Sequence, residues 1–194
     1  MERGRPLRHR FPLRAVHRQH RLLRHDAKAA ADAKIQAEAA AKAKQEAIRQ
    51  QAIQRTKDGT DFTYNPTMQV SDSDIWIMAC IIDWESGWQP YEGKLAVANI
   101  ILNRVRSSRY PNTVTGVVYA KNQFSGVCDA SGNISARFAE RLAAGPRTDE
   151  CMKAVLQALS GVNNVSNYTA FITTSTANYS AYSDYMIIGD HCFY

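Results

Sequence analysis

The sequence has no long apolar run, no paired cysteine motif and almost no histidine outside its first 25 residues. Its longest unbroken apolar stretch is residues 75–82, far short of the roughly 20 residues that cross a bilayer, so no transmembrane segment is expected. Cys80, Cys128, Cys151 and Cys192 form no CxxC pair. That removes zinc knuckles and thioredoxin-type redox sites, leaving packing residues or at most two disulfides. Four of the five histidines lie in the first 25 residues, and the fifth is His191. No Cys, Asp or His spacing around it makes a triad or metal set, so it reads as a structural histidine; no metal and no other cofactor is expected. The positive start is also not followed by the apolar stretch of about 7–15 residues that a secretory signal needs.

What is present divides unevenly. At 194 residues the chain is long enough for one ordinary domain and an appendage. The net charge of +6 conceals opposite signs: residues 1–60 hold 15 basic against 6 acidic side chains, and residues 61–194 hold 9 against 12. The basicity therefore belongs to the appendage, and no specific nucleic-acid partner is expected for the remainder. Residues 1–25 carry eight arginines with Leu and Phe scattered singly. They lack the apolar surface to offset ordering entropy and read as a disordered tail, either solvated or in contact with an anionic polymer. From Asp26 the composition turns to Ala, Lys, Gln and Glu, with eleven alanines between Ala27 and Ala47. This predicts a solvated helix without a sustained heptad, ending in a linker at 56–66. The expected division is thus 1–25 tail, 26–66 helix and linker, and 67–194 a compact catalytic domain.

Within that last part, Ser71 and Asp74 stand at capping-box spacing and predict a helix running to about Ser86. Its apolar stripe includes Ile75, Met78, Ile81 and Ile82. Glu85 follows Met78 by seven and Ile81 by four, so a carboxylate prolongs the buried stripe where leucine would be expected. Burial raises a carboxyl pKa, and Trp84 and Trp88 are placed to form an apolar wall; a carboxyl that keeps its proton near neutral pH is a general acid. Helix ends also expose glutamates, which is the plainer alternative. Asp83 lies about 200° round the helix and is expected to be solvated. A second helix is predicted at 91–106, with Asn99 and Asn103 stacked on one side, where they tie down a neighbouring loop or orient sugar amides. Residues 134–144 and 148–159 read as two more helices separated by Gly145-Pro146, the Ser, Thr, Asn and Tyr run at 163–184 reads as strands or long loops, and 186–194 reads as a strand.

The stretch Trp84-Glu-Ser-Gly-Trp-Gln-Pro-Tyr-Glu-Gly-Lys94, then Ala96-Val-Ala-Asn-Ile-Ile-Leu-Asn-Arg-Val105, Tyr110-Pro-Asn-Thr-Val114, Val117-Val-Tyr119, Gln123-Phe-Ser125 and the closing Ile188-Gly-Asp-His-Cys-Phe-Tyr194 resembles the SleB-type cell-wall hydrolase family, which includes spore cortex-lytic enzymes. The likeness spans about 73–194. It implies a mainly α (α+β), lysozyme-like helical domain with a small β element, acting on the β-1,4 bond between N-acetylmuramic acid and N-acetylglucosamine of peptidoglycan glycan strands. The family's catalytic glutamate matches Glu85. The resemblance gives Tyr119, Gln123 and Ser125 a substrate-facing place and adds Tyr91 and Glu92 as further substrate-binding candidates. It also implies a cell-wall or spore-associated location, with the protein expected to act as a monomer. In one departure, Glu-Ser-Gly-Trp stands where the family has Glu-Ala-Arg-Gly, removing a basic residue beside the acid. If the protein is exported, Cys128 and Cys151 are a possible staple.

Hydrolysis of a glycoside ordinarily takes two carboxyl groups. A lytic transglycosylase needs one, because the muramic acid's own C6 hydroxyl attacks the anomeric carbon, and one well-placed glutamate therefore favours 1,6-anhydro ends. Glu92, in the first turn of its helix, is the candidate if hydrolysis operates, although favourable interaction with the helix dipole is its plainer role. The competing readings are a hydrolytic muramidase and a non-catalytic wall-binding module.

Overall fold

A computed structural model describes the backbone of residues 13–194, with side chains at Arg24 and from Ala27 onward. It divides into two units, residues 1–45 and 46–194. The first helix, α1, runs Leu13–Asp58. The second half of the Arg-rich segment is therefore helical rather than structureless, which its Leu and Arg content, both good helix formers, permits. The rest of the expected tail, residues 1–12, lies outside the described residues. In the first unit the described side chains up to Lys44 are exposed, as expected of an Ala-rich solvated helix.

The second unit begins inside α1. The closing turns of α1 bury Ile53 and Thr56 in its core, so they are not spacer. The expected linker is packed down as well: the Thr67 amide donates to the Leu159 carbonyl at 2.7 Å, and Phe62, Tyr64 and Met68 lie against the core. Five further helices follow: α2 (Asp72–Ser86), α3 (Tyr91–Arg106), α4 (Val114–Tyr119), α5 (Ala136–Ala144) and α6 (Asp149–Leu159). Three strands, β1 (Phe171–Thr173), β2 (Met186–Ile188) and β3 (His191–Phe193), make an antiparallel sheet in the order β1-β3-β2. The segment at 186–194 is thus a hairpin and not one strand. Gly189, with φ 57°, begins its two-residue turn, the position at which type II′ turns take glycine.

Helices α2, α3 and α6 pack on one another and carry most of the core. The Ser71 and Asp74 capping box forms as its spacing predicts. Helix α2, however, has no solvent face along most of its length. Ile75, Trp76, Met78, Ala79, Cys80, Ile81 and Ile82 are all buried, as befits a helix enclosed by its neighbours. Asp83 is buried with them at 1% exposure, which corrects the expectation that it is solvated. The reason is two arginines that follow the first half of the domain in sequence. Arg147 donates its Nε to both Asp83 carboxylate oxygens at 3.1 Å and an Nη to the Asp83 carbonyl at 3.1 Å, while Arg141 Nε lies 3.2 Å from Oδ2. Helical periodicity sees a residue's own helix and is blind to such partners. The same end of α5 is fixed by the Trp76 indole, which donates to the Leu142 carbonyl at 2.8 Å.

The C-terminal hairpin is clamped to the loop between α2 and α3. Buried Gln89 donates to the Asp190 carboxylate at 3.2 Å and accepts the Asp190 amide at 3.0 Å, and Lys94 donates to the Gln89 carbonyl at 2.6 Å. On the far side, Asn99 donates to the Leu95 carbonyl and Asn164, and Asn103 donates to the carbonyls of Ser166 and Tyr168. Both asparagines thus take the loop-fixing role of the two anticipated. Loss of the Asp83 charge leaves two arginines facing a buried position without their counter-ion, so Asp83→Asn is expected to lower unfolding stability by about 3 kcal/mol. Urea titration checks this, and a change within 0.5 kcal/mol, the scatter of neutral surface changes, is the contrary result.

Candidate active site

Glu85 occupies the last turn of α2, two residues before Gly87 ends the helix. It is half-buried, and its Oε1 is enclosed without a hydrogen-bond partner among the described residues. Burial pushes its carboxyl pKa up from an ordinary 4.5 to about 7, against the opposing pull of the Arg104 guanidinium. Its neighbour Trp84 is locked in place: the indole donates to the Ser125 carbonyl at 2.9 Å, the ring meets Phe138 edge-on at 5.6 Å, and Arg137 lies 5.7 Å over it. Trp88 does not supply the anticipated apolar wall, because it is 68% exposed beyond the helix end.

Arg104 is the group that the sequence reading passed over. It is buried near the end of α3, with Nε donating to the Thr169 carbonyl at 2.7 Å and the guanidinium lying over the rings of Phe124 (5.1 Å) and Tyr110 (5.5 Å). Its Nη1 is buried without a partner among the described residues. The signal was available, since Arg104 follows Val97 by seven and Ile101 by three on the buried stripe of α3, the same anomaly that marked Glu85 on α2. The cation that bears on Glu85 therefore comes from α3 and not from the helix end where the family motif carries its arginine.

The turn after α4 brings several candidates together. Tyr119 and Ser125, with Phe124, Asn122 and Asp129, line a cavity of about 420 Å³. Asn122, at φ 63°, makes the turn. Gln123 lies on the same turn, half-buried, but does not line this cavity. Phe124 is buried in the core, as expected. Tyr91 and Glu92 fall elsewhere. The Tyr91 hydroxyl donates to Gln157 at 2.7 Å beneath Lys153, where it serves α3 and α6 packing, and Glu92 is exposed, its carbonyl accepting from Asn164. Glu92 thus takes its dipole-facing place at the helix start, acidic in the first turn of α3.

His191 is buried between Phe171 and Phe193, and burial lowers its pKa, so it stays neutral and structural. All four cysteines are free, which corrects the possible Cys128 and Cys151 staple. Cys128 Sγ donates toward the Tyr119 carbonyl, whereas Cys151 sits 3.5 Å from the Thr148 hydroxyl. Among the described residues no group of three or more His, Cys, Asp or Glu is arranged to hold a metal ion.

Comparison with known proteins places this geometry. The family model for Cell Wall Hydrolase matches residues 88–194, beginning three residues beyond Glu85. A spore cortex-lytic enzyme of Bacillus cereus is 35% identical over 107 residues, 55% of this chain and 37% of that protein. Another from Oceanobacillus iheyensis is 32% identical over 123 residues, 61% of this chain and 41% of its own length. The chain thus spans about two fifths of the length of these curated relatives. The crystal structure of the catalytic domain of the Bacillus cereus SleB protein superposes with a TM-score of 0.53 at 34% identity, covering 70% of this chain and 98% of that one. The catalytic domain of a germination-specific lytic transglycosylase, SleB from Bacillus anthracis, gives 0.52 at 34% identity, covering 66% and 98%. With more than half its length matched and a mainly helical, lysozyme-like architecture in common, the chain belongs to the cell wall hydrolase family, as a SleB-type member.

Proposed function

We propose that this protein cleaves the β-1,4 bond between N-acetylmuramic acid and N-acetylglucosamine in peptidoglycan glycan strands, as a lytic transglycosylase with Glu85 as its one acid and base. One observation carries the reading: a carboxyl oxygen is held at the end of a central helix, enclosed and unpartnered, with its pKa near 7. Such a group holds a proton at near-neutral pH and has no competing internal bond to break before giving it up. Glu85 donates this proton to the glycosidic oxygen as the bond from the anomeric carbon breaks, and the N-acetylglucosamine leaves with a free 4-hydroxyl. The muramic acid C6 hydroxyl then bonds to the anomeric carbon and returns its proton to Glu85, closing the 1,6-anhydro ring. Asp83, the nearest acidic residue in sequence, is committed to Arg141 and Arg147 and is not free to activate water. The Bacillus anthracis relative is named a lytic transglycosylase, which supports the same outcome.

Residues 67–194 are proposed as the catalytic part, working on the cell wall or spore as a monomer, with Tyr119, Gln123 and Ser125 on the substrate side. Arg104 is a positioning residue: its charge holds the Glu85 pKa below what burial alone would give. That leaves the carboxylate of the second half-reaction accessible near neutral pH.

Incubation of purified peptidoglycan with the native protein, followed by mass spectrometry, is expected to release muropeptides with anhydro ends, and Glu85→Gln is expected to lower the rate roughly 100- to 1000-fold. Reducing ends from the native protein would require a second carboxylate and overturn the transglycosylase outcome, and no release from it would favour a binding module. The kcat/KM profile should fall as pH rises through about 7, where Glu85 loses its proton. Arg104→Met removes the opposing cation and should move that limb to higher pH; a limb that stays in place would refute the coupling.

Stability carries a matching signature. The folded protein holds the Glu85 proton more tightly than the unfolded chain, so this contribution is full below pH 4.5 and is lost as pH rises through about 7. Across that window the native protein should lose about 3 kcal/mol relative to Glu85→Gln. Urea unfolding of both at pH 5 and pH 8 measures the difference, and parallel curves would show that Glu85 is not desolvated.

A further inference from the structure

The Ser, Thr, Asn and Tyr run at 163–185 has no role in the acid step, yet five of the nine tyrosines of the chain lie between Tyr168 and Tyr194. Between β1 and β2 the backbone makes two short 3-10 turns, Thr174–Thr176 and Tyr179–Ala181, which bring Tyr179, Tyr182 and Tyr185 together. The Tyr179 hydroxyl donates to the Thr174 carbonyl at 3.1 Å and braces the first turn. The rings form a connected series. Tyr179 and Tyr185 are 5.1 Å apart, Tyr182 and Tyr185 6.3 Å, and Tyr182 stacks on Tyr194 at 4.0 Å and 19°. The Tyr194 carbonyl accepts from the Thr169 amide at 3.3 Å, the Thr169 carbonyl accepts from Arg104 Nε at 2.7 Å, and the Arg104 guanidinium lies 5.5 Å over the Tyr110 ring. A line of aromatic side chains therefore leads from the surroundings of the proposed acid out to Tyr185, which is 42% exposed.

Ring packing in support of a small sheet accounts for Tyr194 and Tyr182. It does not account for Tyr185, which keeps so much of its ring in water at the outer end of the series. Pyranose rings offer an apolar C–H face and a hydroxyl rim, which a tyrosine face and its hydroxyl complement. We propose that Tyr182 and Tyr185 form an aromatic platform holding sugar rings of the glycan strand away from the bond that is broken, so that the protein prefers long strands to short oligosaccharides. This rests on the glycan-cleaving reading above and names a part of the substrate-binding surface which that reading leaves open.

The test separates binding from cleavage. In the full chain carrying Glu85→Gln, affinity is measured for long glycan strands stripped of stem peptides, at high salt so that the basic N-terminal residues are screened. Adding Tyr185→Ala should weaken binding about tenfold, while Tyr185→Trp, which keeps a ring face, should restore it. With Glu85 intact, Tyr185→Ala should lower the ratio of kcat/KM on long strands to that on a tetrasaccharide by a similar factor. Val162→Ser, an exposed apolar change outside the platform, should keep both quantities at the parent value. Unchanged affinity and an unchanged ratio in both Tyr185→Ala and Tyr182→Ala, with unfolding midpoints preserved, would overturn the platform. If the native protein cleaves no strand yet binding still depends on Tyr185, the platform stands and the cleavage reading falls.

Discussion

Two carboxylates leave the same end of α2, and the cation that each meets decides what it is for. Asp83 is held by hydrogen bonds from Arg147 and by the nearby Arg141, and it is a charge made tolerable in the interior by its partners. Glu85, two residues on, is half-buried, but no hydrogen bond from the described residues reaches its enclosed oxygen. Desolvation then acts unopposed at short range and favours the protonated form. Had Arg147 reached Glu85 instead, the same helix would present an ionised, inert carboxylate. The proposed chemistry depends on the two arginines being committed to the neighbour.

The rest of the fold can be seen as what keeps that asymmetry in place. Gly87 permits the chain to turn tightly beside Asp83, since a Cβ there would lie 2.5 Å from the Asp83 carbonyl and 3.1 Å from Arg147. Gly145, at φ 83°, lets the segment after α5 close over the Trp76 ring, which leaves no room for a side chain, and so delivers Arg147 to its site. On the other side, Gln89 and Lys94 tie the loop after α2 to the hairpin turn at Asp190. The β element is small, but Tyr194, which follows β3, accepts from the Thr169 amide, and the Thr169 carbonyl holds Arg104 Nε.

Sequence periodicity located what depends on one helix at a time. The boundaries of α2 and α3, the capping box and the anomaly at Glu85 all follow from residues three and four apart. Asp83 was misjudged because its burial is decided by residues about 60 positions away. The platform tyrosines lie in a run with neither period, where short 3-10 turns and three-residue strands leave no repeating pattern to read. The direction of Tyr91 is hidden for a related reason: the motif that contains it is continuous with Glu85 in sequence, but four residues of loop turn the chain so that its hydroxyl faces α6.

Arg104 shows how an arginine can lie near a buried carboxyl without holding it ionised. A free guanidinium beside Glu85 would form a bidentate pair and hold the carboxyl ionised. Here Nε is taken by the Thr169 carbonyl and the plane of the group is fixed against Phe124 and Tyr110, so the fork is oriented by other partners before Glu85 is considered. Glu85 Oε1 and Arg104 Nη1 are each buried without a hydrogen-bond partner among the described residues, and the pull of the cation moderates the shift without reversing it. In the proposed mechanism Glu85 first gives up a proton and then takes one back, and that balance serves both steps, with burial holding the proton on and a restrained cation easing its loss.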